Sequence, residues 1–258
     1  MTNPFVFRNR HFVLATIAAA LFCLVSCDPV DPPVGPSDTI PDPDPAEVTF
    51  VLHGKTVRFA PANIVWNATR HATFADSQYD YNAEDGSHQY AQTNSPYYNW
   101  KDAHNSTMIS NGQGWWRLPT TDEWNDLIGN YSWTRVMVPT DNGDRLGLIV
   151  VPQGFDCTKI ASVPTENWND KTAAYTEITL SEKAIFDKSG SVFFPFAGEY
   201  SAYLDSAHYV GIHGTYWTAD ETLQGEHASC IYLEKNGIWR VDLAKTNTLL
   251  VRLVQDVK

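Results

Sequence analysis

Residues 47–258 predict an α+β domain, on three observations. Short β-rich runs recur between turn residues, two short helices carry clear start and stop signals, and long polar stretches studded with aromatics lie between them. Isolated helices set among short alternating strands, rather than strictly alternating with parallel ones, give α+β with a mainly antiparallel sheet. The chain of 258 residues has room for one large domain or two small ones.

The elements begin with a segment that does not belong to the domain. Arg8 and Arg10 precede an apolar run over residues 12–25, which is short for a membrane helix and suits a secretory signal. The run ends Leu24-Val25-Ser26-Cys27, which resembles a bacterial lipobox. Residues 1–26 are therefore expected to be cleaved, leaving Cys27 as the lipid anchor in an outer membrane, with the domain at the cell surface. Residues 28–46 hold seven prolines and five aspartates. They cannot bury apolar surface, and together with Cys27 they form a tether that lifts the domain roughly 50 Å from the headgroups in polyproline II geometry.

From Glu47 the composition changes. Residues 48–52 and 56–59 are β-rich and flank His53-Gly54-Lys55, a hairpin signature. Residues 76–114 lack sustained periodicity and predict an irregular region rather than a helix. Thr120 with Glu123 three residues on is a capping box. Trp124, Leu127 and Ile128 then fall on one apolar face, and Gly129 serves as a stop. Residues 145–151 (RLGLIVV) predict a buried strand. Residues 180–188 predict a second helix, capped near Thr179 or Ser181 and stopped by Gly190. Residues 192–196, 216–218, 228–234, 238–243 and 249–254 complete an antiparallel set.

Charge and motif content exclude several function classes. Without Arg8 and Arg10 the mature chain carries 16 basic and 30 acidic residues, a formal charge of −14. Such a surface repels nucleic acid, whose recognition needs Lys/Arg clusters. Nucleophile elbows, zinc-protease helices, Walker loops and dinucleotide fingerprints are all missing. His208, His213 and His227 near Asp205 and Glu226 match no ligand spacing, and neither a metal nor a cofactor is implied. The loop starting at Asp80 places its glycine one residue late for an EF-hand. Trp168-Asn169-Asp170 copies a lectin calcium tripeptide without the partner loop. Cys157 and Cys230 remain after processing. Export permits a disulfide, and their spacing leaves the pairing open.

Seven blocks carry a resemblance: residues 55–63 (KTVRFAPAN), 74–81 (FADSQYDY), 114–124 (GWWRLPTTDEW), 146–152 (LGLIVVP), 191–200 (SVFFPFAGEY), 214–218 (GTYWT) and 251–254 (VRLV). In this order they resemble a Bacteroidetes surface lipoprotein family related to the Fibrobacter major paralogous domain. That family is related in turn to the sulfatase-modifying-factor (formylglycine-generating) fold and to C-type lectins. The resemblance implies a C-type-lectin-like domain with a twisted central antiparallel sheet, a few short helices and long loops. It also implies a binding or adhesive role toward a glycan or a surface protein, with membrane contact through the lipid alone. The cysteine pair that formylglycine-generating enzymes use is absent, so a divergent enzyme of that type stands as an alternative, beside a structural tip subunit of a surface fibre.

Aromatics cluster at Tyr79, Tyr81, Tyr90, Tyr97, Tyr98 and Trp100, read either as a sugar-binding surface or as the cement of a loop-rich domain. Trp115, Trp116 and Trp217, inside the matched blocks, are expected to be structural. By the resemblance, the ligand face lies between residues 218 and 247, where Thr218, Asp220, Glu221, Asn236 and Trp239 read as loop-borne polar and aromatic groups.

Overall fold

The structure, a computed structural model, describes residues 47–80, 93–105, 109, 115–201, 203–222 and 225–257. The signal segment, Cys27, the tether, Tyr81, Tyr90 and most of the EF-hand-like loop lie outside the described residues.

The chain is mixed and strand-rich, with its strands in several small sheets. The first sheet runs β1 (Phe50–Leu52), β2 (Lys55–Phe59), β15 (Val254–Asp256), β5 (Trp116–Arg117) and is antiparallel throughout. The second runs β8 (Thr176–Glu177), β6 (Trp133–Val138), β7 (Arg145–Val150), β9 (Val192–Pro195), with β8 parallel to β6 and the other pairs antiparallel. The third is the meander β12 (His213–Glu221), β13 (His227–Glu234), β14 (Gly237–Ala244). Two hairpins complete the set: β3 (Ile64–Trp66) with β4 (Ala72–Phe74), and β10 (Glu199–Ser201) with β11 (Ser206–His208). The helices are α1 (Trp100–Asn105), α2 (Thr121–Asn130) and α3 (Leu180–Lys188). The expected single twisted sheet is thus divided, because none of its strands continues the hydrogen-bond ladder of the next group.

Local chemistry accounts for the best-formed elements. In the first hairpin Leu52 pairs with Lys55, so the turn is the two residues His53 and Gly54, both at positive φ (48° and 74°). That is the mirror-type turn whose twist matches paired strands, and Asp126 on α2 accepts the His53 amide at 2.5 Å. Thr120 and Thr179 each complete a reciprocal capping box, with Glu123 and Glu182 respectively. Gly129 does not stop α2; the helix runs on to Asn130 and ends as Tyr131 turns extended. Gly190, at φ 71°, does end the α3 turn, and a Cβ there would sit 2.5 Å from Val48.

The segment before β15 organises the interior. Leu249, Val251 and Leu253 enter one core with Trp217, Cys230, Trp116 and Tyr98. Leu250 and Val254 enter another with Phe50, Trp124, Phe194 and Tyr216. This period of two is the signature of extended chain. Residues 249–253 nonetheless pair through isolated bridges and single hydrogen bonds to Tyr98, Thr215, Ile64 and Ala60, not as one long strand. A third core packs β6, β7 and β9 against Phe186 of α3 and Tyr79.

Several aromatics fall where packing, not ligand, uses them. Tyr79, Tyr97, Tyr98 and Trp100 are all buried. Trp100, in a helix the irregular composition of residues 76–114 did not foretell, donates its indole N–H to Thr218 O at 2.9 Å, and Trp217 donates to Tyr98 O at 2.8 Å. Trp115 is the exception among those expected to be structural: it is 63% exposed.

Candidate functional site

The structure does not bring together the five residues assigned to a ligand face. They sit on strands β12 and β14 and the turn between β13 and β14 rather than on loops. Thr218 is fully buried and donates to Ser229 O at 3.0 Å, so it offers no surface to a ligand. Asp220 is taken by the start of α2, where it accepts the Thr121 amide at 2.5 Å at the positive end of the helix dipole. Glu221 pairs with Lys245 at 2.8 Å. Asn236 is exposed in the turn at one end of the meander, while Glu221 lies at the other, about 20 Å away along the strands. Trp239 alone borders a cavity, one of about 350 Å³ shared with Trp124, Trp133 and Arg240.

The other constellations are equally committed. Asn169, at φ 60°, accepts the Trp133 amide at 2.9 Å through its side chain, and Asp170 accepts from Thr172. Asn169 therefore ties this loop to the start of β6, and Asp170 holds the loop itself. Cys157 and Cys230 are both free thiols. Cys230 is buried, and that burial pushes its thiol far up, leaving it protonated. His213 packs between Tyr209 and Tyr232 at 4.9 and 5.0 Å, with Nδ1 3.0 Å from the Thr215 hydroxyl. Among the described residues no group of three His, Cys, Asp or Glu side chains is placed to hold a metal.

A larger cleft, about 740 Å³, lies where β2, β5, α3 and the start of β9 meet the turn at residues 76–79. Its volume is that of a small-molecule site. The half-buried rings of Phe59 and Phe74 give it an aromatic wall, backed by the buried rings of Tyr79 and Trp116, and Ser77, Gln78 and Ser191 are polar groups along it. The charged groups lining it are Arg58, Lys183 and Arg252 against Asp76 and Asp187. Among the described residues, Lys183 and Asp187 pair with each other at 2.8 Å.

Arg252 stands out among these. Its place between Leu250 and Val254 points it to the side of the sheet where Phe194 packs, 5.9 Å from the guanidinium carbon. The residue is 1% exposed. Nη2 donates to Gln78 Oε1 at 3.2 Å, while Nε and Nη1 are buried without a partner. Burial lowers its pKa to about 10, so it stays a cation at neutral pH. The cleft also holds a second unfilled donor, the buried indole N–H of Trp116. Asp187, by contrast, is satisfied: it accepts from Tyr79 at 2.7 Å and from Lys183 at 2.8 Å.

No sequence motif singled out Arg252. The signal was present all the same, as one cation inside the apolar run Leu249-Leu250-Val251-Arg252-Leu253-Val254. An apolar strand buried on both sides has no solvent for a charge, so a charge kept there marks a special environment. No family model, curated protein or solved structure matches the chain.

Proposed function

We propose that this chain is an outer-membrane lipoprotein, anchored through Cys27 at the cell surface, whose lectin-like domain binds a glycan without chemistry. The cleft bordered by Arg252 is the seat of that ligand. The observation that carries the reading is a buried guanidinium with two unfilled donor nitrogens beside an aromatic-walled cavity. Polar groups left unpaired inside a fold cost stability, and a ligand that fills them recovers it. The buried, protonated thiol of Cys230 and the satisfied carboxylate of Asp187 favour binding over catalysis at these positions. The mixed, strand-rich architecture with short helices is compatible with the lectin-like resemblance.

Binding of the full chain, purified in detergent, to an array of glycans and glycoproteins tests the reading, with and without calcium. The Lys183→Glu variant reports on the cleft, since that side chain lines it and is partly solvent-exposed. Saturable, calcium-independent glycan binding that weakens in Lys183→Glu is expected, with a modest fall in melting temperature as Asp187 loses its partner. Binding of glycoproteins after complete deglycosylation would move the reading from glycan to protein adhesion.

A further inference from the structure

We infer that the cleft takes a carboxylate-bearing saccharide, with its carboxylate at Arg252 and its ring along the aromatic wall. The inference rests on the cleft being a glycan seat, and it adds the ligand's charge and the group that reads it.

Three observations lead to a carboxylate. First, Arg252 is a buried cation that no acidic side chain pairs with among the described residues. Buried charges in folded proteins are ordinarily paired, because a lone one forfeits its hydration. Second, the unfilled groups of this cleft, Nε and Nη1 of Arg252 and the Trp116 indole N–H, are all donors. A ligand that completes them brings acceptors, and a charged carboxylate oxygen is the strongest acceptor for a guanidinium N–H. Third, among the described residues lining the cleft Lys183 already pairs with Asp187, which leaves Arg252 as the buried cation to be matched. A monoanion neutralises it, whereas a phosphate dianion would meet Asp76 and Asp187 with charge to spare.

The remaining lining argues for a sugar as the carrier of that carboxylate. Aromatic side chains flanked by hydroxyl and amide groups accept the apolar face and the hydroxyl rim of a pyranose together. Ser77, whose hydroxyl accepts the Tyr79 amide and keeps its own proton to donate, supplies such a group in the same cleft as Phe74. Gln78 holds one nitrogen of Arg252 and the Phe193 amide, at 3.2 and 2.9 Å, so it orients the guanidinium without neutralising it.

The test is equilibrium binding of the detergent-purified full chain to uronate- and sialate-terminated oligosaccharides. Their methyl esters, their neutral counterparts and inorganic phosphate serve as comparison ligands. The acids are expected to bind about tenfold or more tightly than their esters, the loss expected for one charged hydrogen-bonded contact. Phosphate is expected not to compete. This comparison uses the unaltered protein and does not depend on a variant folding. Arg252→Lys, which keeps the charge and loses the Nε and Nη1 donors, is expected to weaken the acids and leave the esters unchanged. Esters or neutral sugars binding as tightly as the acids would overturn the carboxylate while leaving a glycan seat in place, and effective competition by phosphate would overturn it in favour of a phosphorylated ligand. If no saccharide of either kind binds, the glycan reading falls as well.

Discussion

Arg252 occupies a position that burial alone would give to Leu or Met. Its neighbours at 250 and 254 are apolar and fully buried, and its own nitrogens are two-thirds unfilled. Removing an uncompensated buried charge relieves a desolvation cost of several kcal/mol. Arg252→Met is therefore expected to stabilise the ligand-free protein by about 1 kcal/mol or more, net of the lost Gln78 contact, as a rise in the denaturation midpoint. A loss of stability would show that the guanidinium is part of the scaffold. His213 makes a second residue-scale prediction. Burial lowers its pKa below the ordinary value, so near neutrality it is uncharged in both folded and unfolded chains. Below pH about 6.5 the unfolded chain takes up the proton first, and stability falls with pH until the folded pKa is passed. His213→Phe should flatten that part of the stability curve, measured by urea unfolding between neutral and mildly acidic pH. At this scale the sequence was legible for Trp124, whose place in a capped amphipathic helix makes it core. It misled at Thr218, because a polar residue flanked by Asp220 and Glu221 reads as loop, and its partners at Ser229 and Trp100 lie in distant segments.

Elements with local punctuation were the readable ones. Both capping boxes and the two-residue hairpin turn are determined within four or five residues of chain; the Thr120 box and the hairpin were visible as patterns, while the second cap was placed only near Thr179 or Ser181. Thr120→Ala should cost about 1 kcal/mol in urea unfolding, as loss of an N-cap does. Glu123 does more than cap: it is 1% exposed and holds Arg117 at 2.6 Å. Helix α1 was illegible because six residues give too short a period to read. Strand β6 was missed because WTRVMV carries a cation and a threonine in a buried strand. Arg135 there lodges against the Glu234 and Asp170 carbonyls, partners set by the tertiary fold. The stretch 249–254 was expected as one strand. It instead serves several partners, because residues alternately enter two cores and its backbone reaches four different segments.

For the whole molecule, charge and anchoring set the working conditions. On the lipobox reading the processed chain carries −14 and repels anionic ligands at long range, and salt screens that repulsion within about 8 Å at physiological strength. On the carboxylate reading, association with an acidic saccharide should quicken as ionic strength rises from low values, while the buried contact at Arg252 is little screened. The lipobox reading predicts that Cys27→Ala abolishes lipid incorporation and moves the protein from the detergent to the aqueous phase on partition. The β-rich runs and the two helix start signals indicated a mixed, strand-rich chain. They could not give the division into small sheets, which depends on where each ladder ends.

The most direct test of the central claim follows the Arg252 side chain itself. Its Nε–H resonance, assigned by its absence in Arg252→Met, is recorded while a uronate-terminated oligosaccharide is titrated into the full chain. The account predicts a saturating shift of that one signal, with the methyl ester moving it far less. Saturable binding of the sugar with the Arg252 signal unmoved would contradict it, and would place the ligand elsewhere on the molecule.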